Sequence, residues 1–398
     1  IQPIVGAASD ENVDTLRTTY SLPLVGSLVA VLVMCLLPNA GSFGMAVSTA
    51  MIFGLVSLMF LDTSINMAMQ PFKMMVGDMV NEKQKGLAYS IQSFLCNAGS
   101  LVGFLFPFIF TWIGISNIAP QGVVPDSVIY SFYIGAAILI LCVIYTTVKV
   151  KEMPPAEYAE YHGITEEEKK EKINMVKLLV KAPKAFWTVG LVQFFCWFAF
   201  MFMWTYTNGS VAANVFDAPT VETVVNGASK VVLDTKSIQY QNAADWVGVL
   251  FAVQAIGSVL WAVCIPMFKN RKLIYSLSLV LGGIGFISTY FVHNQYVLFI
   301  SFLLIGCAWA AMLALPFTIL TNALSGGHMG TYLGLFNGTI CIPQIVAATL
   351  GGSILALFTP KGMLPPEINM LVMAGVMLII GAVCVYLIKE TKGEQAKA

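Results

Sequence analysis

Residues 43–80 read FGMAVSTAMIFGLVSLMFLDTSINMAMQPFKMMVGDMV. A bilayer is crossed by about 20 largely apolar residues, so a run of this length spans it and must tilt or project beyond it. Asp62, Asn66, Gln70 and Lys73 interrupt the apolar pattern. On a helix turning about 100° per residue they fall at about 0°, 40°, 80° and 20°, one stripe carrying an acid, two amides and a base. An ionisable residue at membrane depth costs about 2.5–3.5 kcal/mol on insertion scales, so the stripe needs a reason. One reason is a structural ion pair riveting two helices. The other, favoured because buried pairs seldom recover their desolvation, is a wet substrate pathway. There Lys73, Asn66 and Gln70 bond the substrate, and Asp62 accepts from Lys73 or takes a proton. Pro71 weakens the backbone ladder and frees a carbonyl. Asp78 lies at about 160° from Asp62, beside Asn81-Glu82-Lys83-Gln84-Lys85, a position suited to anchoring the loop.

The rest of the chain has the same character. Hydrophobic residues are 58% of the 398 and charged residues 11%, against roughly 45–50% and 25% in soluble proteins; mean hydropathy is +0.79. A soluble globule cannot cover that much apolar surface, whereas lipid does not require it to be covered. The 21 basic residues balance 21 acidic ones, leaving no net field to attract nucleic acid. Between polar breaks the sequence predicts ten spans, near 20–37, 43–80, 85–115, 127–149, 184–216, 243–268, 273–292, 295–322, 329–358 and 367–388. The expected fold class is an all-α membrane protein.

The eight cysteines are scattered singly and the three histidines are isolated, so neither a metal nor a cofactor is expected. No H-E-x-x-H, G-x-S-x-G or nucleotide-binding motif is present, which argues against an enzyme. Gly99, Gly103, Gly282, Gly283, Gly285, Gly351 and Gly352 read as close-packing positions, and Ser93, Asn97 and Ser100 as polar glue between helices.

Placing alternate connections on one side collects 17 of the 21 Lys and Arg there, from Arg17, Lys83 and Lys85 to Lys389, Lys392 and Lys397. This asymmetry predicts an integral, multi-pass protein of an inner or plasma membrane with a cytoplasmic C-terminus. Residues 150–183, with Glu166-Glu167-Glu168-Lys169-Lys170-Glu171-Lys172, read as a charged cytoplasmic linker. It divides an N-terminal bundle, 1–149, from a six-helix C-terminal bundle, 184–398. Residues 217–242 read as a polar external loop. The chain opens on Ile1-Gln2-Pro3-Ile4-Val5-Gly6, about half a span, so helix one and half of helix two of a six-plus-six plan are expected to lie upstream. Pro71-Phe72 followed by Gly86, and Pro316-Phe317 followed by Gly330, repeat at matching places in the two halves, as in transporters with parallel repeats.

In 184–216, Gln193, Trp197, Phe200, Trp204 and Asn208 fall at about 0°, 40°, 340°, 20° and 60°. One face presents two indoles framed by amides. Such a stripe commonly faces lipid or a neighbouring helix; with interior amides it also suits a cavity in which indoles stack on a sugar ring. Asn337 and Gln344, about 20° apart on one continuous helix, are further hydrogen-bonding candidates.

Leu61-Asp62-Thr63-Ser64-Ile65-Asn66, Gln70-Pro71-Phe72-Lys73 and Asn81-Glu82-Lys83-Gln84-Lys85-Gly86 resemble the fourth helix and following loop of sugar/cation symporters. These form the glycoside–pentoside–hexuronide branch of the major facilitator superfamily, and the resemblance is strongest to plant sucrose transporters and their bacterial relatives. Val192-Gln193-Phe194-Phe195-Cys196-Trp197 is similar to that group's seventh helix. Gly334-Leu335-Phe336-Asn337-Gly338 with Pro343-Gln344 is similar to its eleventh, and Ile1–Gly6 with Ser9-Asp10 to the end of its second. Three departures stand out. The arginine cluster that follows Asp10 in the family is replaced by Glu11 and a lone Arg17. Lys73 stands where Arg is usual, and Thr207-Asn208 stand where sucrose carriers often have acids. The resemblance implies two pseudo-symmetric bundles and a monomeric secondary transporter of a sucrose- or maltose-like sugar. It also implies proton symport, with Asp62 the coupling candidate, Asp10 and Asp78 gating anchors, and Lys73, Asn66, Gln70, Gln193, Trp197, Trp204, Asn337 and Gln344 around the substrate. Sodium coupling, a transport-inactive sensor and a carrier of another organic solute are the alternatives.

Overall fold

The structure, a computed structural model, describes residues 18–45, 47–115, 124–150, 175–225, 228–324, 329–360 and 362–388. Helices dominate: α1 (Thr18–Leu36), α2 (Val47–Met79), α3 (Glu82–Trp112), α4 (Asp126–Lys149), α5 (Met175–Lys181), α6 (Lys184–Asn214), α7 (Ile238–Cys264), α8 (Arg271–Ser288), α9 (Leu298–Ala323), α10 (Met329–Phe336), α11 (Gly338–Phe358) and α12 (Ile368–Cys384). Each of the ten expected spans coincides with helix. Nine described segments are long and apolar enough to cross a membrane. The tenth expected span, 85–115, coincides with α3, whose most apolar stretch, residues 95–112, contains no charged residue. Most of the acidic linker, 151–174, lies outside the described residues.

Two local outcomes differ from expectation. The span 329–358 is crossed by residues 331–358, with a one-residue turn at Asn337 between α10 and α11. The Asn337 N–H is shared between the carbonyls of Leu333 and Gly334, each at 3.2 Å, a tightened last turn before the glycine. The second difference is in the loop 217–242, which forms an antiparallel hairpin. Its strands are β1 (Thr220–Val225) and β2 (Ala228–Leu233), with Thr220 opposite Leu233. β-branched runs on either side of Asn226-Gly227 are a hairpin signal, hidden in a stretch otherwise read as polar. Asp217, at φ 48°, turns the chain out of α6, a conformation Asp tolerates better than most residues.

The chain divides into two compact units. One takes the described residues of Ile1–Lys85, Val102–Ala182 and Leu324–Asn337. Here α1 packs on α2 and α4. A Cβ at Gly26 would meet the Ser64 carbonyl at 2.8 Å, and Asn39 donates to the Tyr133 hydroxyl at 2.8 Å.

The other unit takes Gly86–Leu101, Pro183–Ala323 and Gly338–Ala398. Within it α9 packs on α7 and α8, and α12 on α6 and α8. Lipid tails are as apolar as leucine, so close packing and hydrogen bonds hold such helices together. A Cβ at Gly306 of α9 would meet the Ser258 amide nitrogen of α7 at 2.7 Å. At Gly285 of α8 it would meet the Ser301 carbonyl of α9 at 2.6 Å, and Gly283 of α8 and Gly375 of α12 face each other's carbonyls. Of the expected packing glycines, Gly282, Gly283, Gly285 and Gly351 have this role, whereas a Cβ at Gly99, Gly103 or Gly352 would meet no described neighbour. The expected polar glue is also partial. Ser93 donates to the Ala310 carbonyl at 3.4 Å and Asn97 is buried, but Ser100 is exposed and bonds only its own helix.

Gly306→Val should push α7 from α9 and destabilise the protein by about 1–3 kcal/mol, as overpacking does. Gly99→Ala should be neutral or stabilising by up to about 1 kcal/mol. Thermal unfolding of the detergent-purified protein distinguishes the two, and equal effects would refute this assignment of packing contacts.

Candidate functional site

In the second unit, α6 is apolar all round and buried along most of its length, the pattern of a helix surrounded by others. Its predicted stripe comes together as expected. The rings of Trp197 and Trp204 lie 6.4 Å apart, and Phe200 is 6.4 Å from Trp204. A third indole, Trp309 of α9, closes the group. Its ring is 5.6 Å from Trp197, 5.8 Å from Trp204 and 4.9 Å from Phe200, nearly edge-on to both indoles. Edge-to-face contacts place the positive rim of one ring on the negative face of the next. Fully buried Ala308 and Ala310 flank Trp309, leaving room for one large side chain between α6 and α9. Trp309 was not among the expected site residues because no amide or charge accompanies it at helical spacing. The available signal was a single indole within the small-residue run Gly306-Cys307-Ala308-Trp309-Ala310-Ala311.

Gln193 has a role its position on the stripe did not disclose. Pro316 sits inside α9 and has no N–H, so the carbonyl of Met312, four residues earlier, loses its helical donor. The fully buried Gln193 amide donates to that carbonyl at 3.0 Å. The Gln193 oxygen and the indole N–H of Trp197, one turn further along α6, are both buried and have no partner among the described residues. A buried acceptor on Gln193 and a buried donor on Trp197 therefore lie one helical turn apart on α6. Asn208, at the other end of the stripe, donates to the Tyr240 hydroxyl of α7 at 2.9 Å, and its own oxygen is also unpartnered.

In the first unit, Asp62 is exposed and Asn66 donates to its carboxylate at 3.1 Å and to its backbone carbonyl at 2.8 Å. The acid and the first amide of the α2 stripe are thus adjacent. Gln70, Lys73 and Asp78 lie on α2, with side chains outside the described residues, as is all of Asp10. Asn337, at the turn between α10 and α11, and Gln344, on α11, are both half-buried.

A family model described as Major Facilitator Superfamily matches residues 1–233 and 211–398. No curated protein matches the chain by sequence. Among solved structures, a variant of the E. coli fucose:proton symporter FucP is similar over 98% of this chain and 88% of its own. The identity is 14% and the TM-score 0.66. The proton:xylose symporter XylE bound to 6-bromo-6-deoxy-D-glucose is similar over 100% of this chain and 86% of its own, at 11% identity and TM-score 0.67. The inward-open form of the xylose transporter XylE from E. coli gives 14% identity and a TM-score of 0.60, covering 99% and 85%.

Gln193→Leu should destabilise the protein by about 1–2 kcal/mol, because it strands a buried carbonyl. In a Pro316→Ala background residue 316 regains an N–H for Met312, and the same substitution should cost less than half as much. Equal costs in the two backgrounds, measured by thermal unfolding, would disprove the link between Pro316 and Gln193.

Proposed function

Because the chain belongs to the Major Facilitator Superfamily, a family of non-enzymatic membrane transporters, we propose that it is a secondary active sugar transporter. Its substrate is of disaccharide or oligosaccharide type, sucrose- or maltose-like, and moves by proton symport with alternating access. The observation that carries this reading is the indole group of Trp197, Trp204 and Trp309 beside the unpartnered Trp197 N–H and Gln193 oxygen. A sugar ring offers apolar C–H faces that stack on indoles, and hydroxyls that accept from the first atom and donate to the second. The similar structures FucP and XylE are a fucose:proton and a proton:xylose symporter, which supports the class of solute.

Asp62 is the proposed coupling acid, with Asn66 holding its carboxylate in place. Lys73, Gln70, Asn337 and Gln344 complete the proposed substrate set, and Asp10 and Asp78 anchor the gating loops. The 17-to-3 division of basic residues between the two sides supports a cytoplasmic C-terminus in an inner or plasma membrane. The working unit is a monomer with an N-terminal bundle, the linker 150–183 and a C-terminal bundle.

In proteoliposomes, an inward proton gradient should drive accumulation of labelled sucrose or maltose. Trp309→Ala should lower sugar counterflow at least tenfold, while Trp309→Phe retains most of it. Asp62→Asn should abolish accumulation but spare counterflow. Sugar binding without counterflow would identify a sensor instead, and uptake competed only by organic anions would identify a different solute.

A further inference from the structure

Glu367 stands immediately before α12, after Pro365-Pro366. Its N–H bonds the Pro365 carbonyl at 2.9 Å and its carbonyl receives the Met370 N–H at 2.9 Å. The backbone is therefore fixed, and the side chain is directed onto α6. There it fills a notch left by Gly209: a Cβ at that position would collide with the carboxyl group. One turn away, Tyr206 lies within electrostatic reach of the carboxylate, and its hydroxyl abuts Gly351 of α11, where a Cβ would meet it at 2.6 Å. Two glycines thus let α6, α11 and α12 close around one acid.

Nothing described nearby compensates that acid. On the packed elements, α6 from Thr205 to Asn214, α11 from Ile345 to Phe358, and α8 with its following turn from Gly282 to Val292 contain no Asp, Glu, Lys, Arg or His. Beyond them come His293, and Lys361 in the preceding loop, which lies outside the described residues. Tyr206, Tyr290 after α8, and Tyr240 and Asp245 of α7, which also packs on α6, are titratable, and none of them can neutralise a carboxylate. Burial alone raises the Glu367 carboxyl from 4.5 to about 7, because the charged form is the one that loses solvation.

We propose that Glu367 is a proton-binding site at the loop ends of α6 and α12, where the neutral acid seats in the Gly209 notch and the carboxylate leaves it for water. The charge asymmetry assigns these ends to the external face, so the site takes its proton from outside. It is separate from Asp62, and the inference does not depend on the identity of the transported solute.

The test uses the whole detergent-purified protein without substrate. Its infrared spectrum should contain the carbonyl stretch of a protonated carboxylic acid that disappears with a midpoint near pH 7. Glu367→Gln should remove that component. Glu367→Asp, too short to reach the notch, and Gly209→Ala, which blocks it, should move the midpoint down by at least one pH unit, towards the ordinary carboxylate range. Thermal stability follows the same linkage. The folded state holds the proton more tightly than the unfolded chain, so its advantage is complete below about pH 4.5 and is lost as pH rises to about 7. The unfolding midpoint should fall across that window in the wild type, and the Glu367→Gln variant should lack this component of the fall. A band that titrates near 4.5, or one that persists unchanged in Glu367→Gln, would overturn the proposal. Failed sugar uptake would not, since none of these measurements involves sugar.

Discussion

Inside hydrocarbon a backbone carbonyl has no water to turn to, so every one of them needs a donor from within the protein. That constraint explains the dominance of helix over the spans. It also explains what happens where the helical ladder is broken on purpose. Pro316 removes one donor from the middle of α9, and the gap is closed by the side chain of a different helix, Gln193 of α6. The bond is local in space and distant in sequence. It fixes α6 against α9 at the level where Trp197, Phe200 and Trp309 meet.

Close approach is the second consequence. Helices in lipid gain little from burying apolar surface against one another, so contact quality decides their arrangement. Gly257 and Gly306 bring the backbones of α7 and α9 together, Gly285 brings α8 to α9, and Gly283 with Gly375 joins α8 to α12. Side-chain bonds then set the register: Trp261 donates to Ser278 at 2.8 Å, and Ser276 donates to the Ala382 carbonyl at 3.0 Å. A large indole such as Trp309 fits among these helices because its immediate neighbours are alanines.

Span positions were legible in the sequence because length and apolarity are one-dimensional properties. The face shared by Trp197, Phe200 and Trp204 was legible because α6 is unbroken and helical phase carries through. The one-residue turn at Asn337, between α10 and α11, was not legible from that periodicity. Trp309, and the pairing of Gln193 with Met312, were not legible. Both depend on which helices are neighbours, and periodicity within one segment does not carry that information. The setting of Glu367 is hidden in the sequence for a related reason. A glutamate before a span looks like an ordinary boundary residue, and only Gly209 of α6 lets its half-buried carboxyl pack against that helix.

Three amides packed among the helices share an asymmetry, and Gln254 has the opposite one, its side-chain nitrogen being the unpartnered atom. Asn97 donates to the Ser93 carbonyl, Gln193 to the Met312 carbonyl and Asn208 to the Tyr240 hydroxyl, while the side-chain oxygen of each has no described partner. Helix interiors produce this bias. A strained or proline-broken helix offers surplus carbonyls to an amide N–H, but a mid-helix backbone N–H is almost always taken and gives the amide oxygen nothing to accept. Amides used as glue in this way leave acceptors, whereas Gln254 leaves a donor. An organic anion brings only further acceptors to such a surface, whereas each sugar hydroxyl brings a donor together with an acceptor. The unpartnered donor of Trp197 and the unpartnered oxygen of Gln193 lie one turn apart on α6; a hydroxyl can match either atom, whereas a carboxylate matches only the donor.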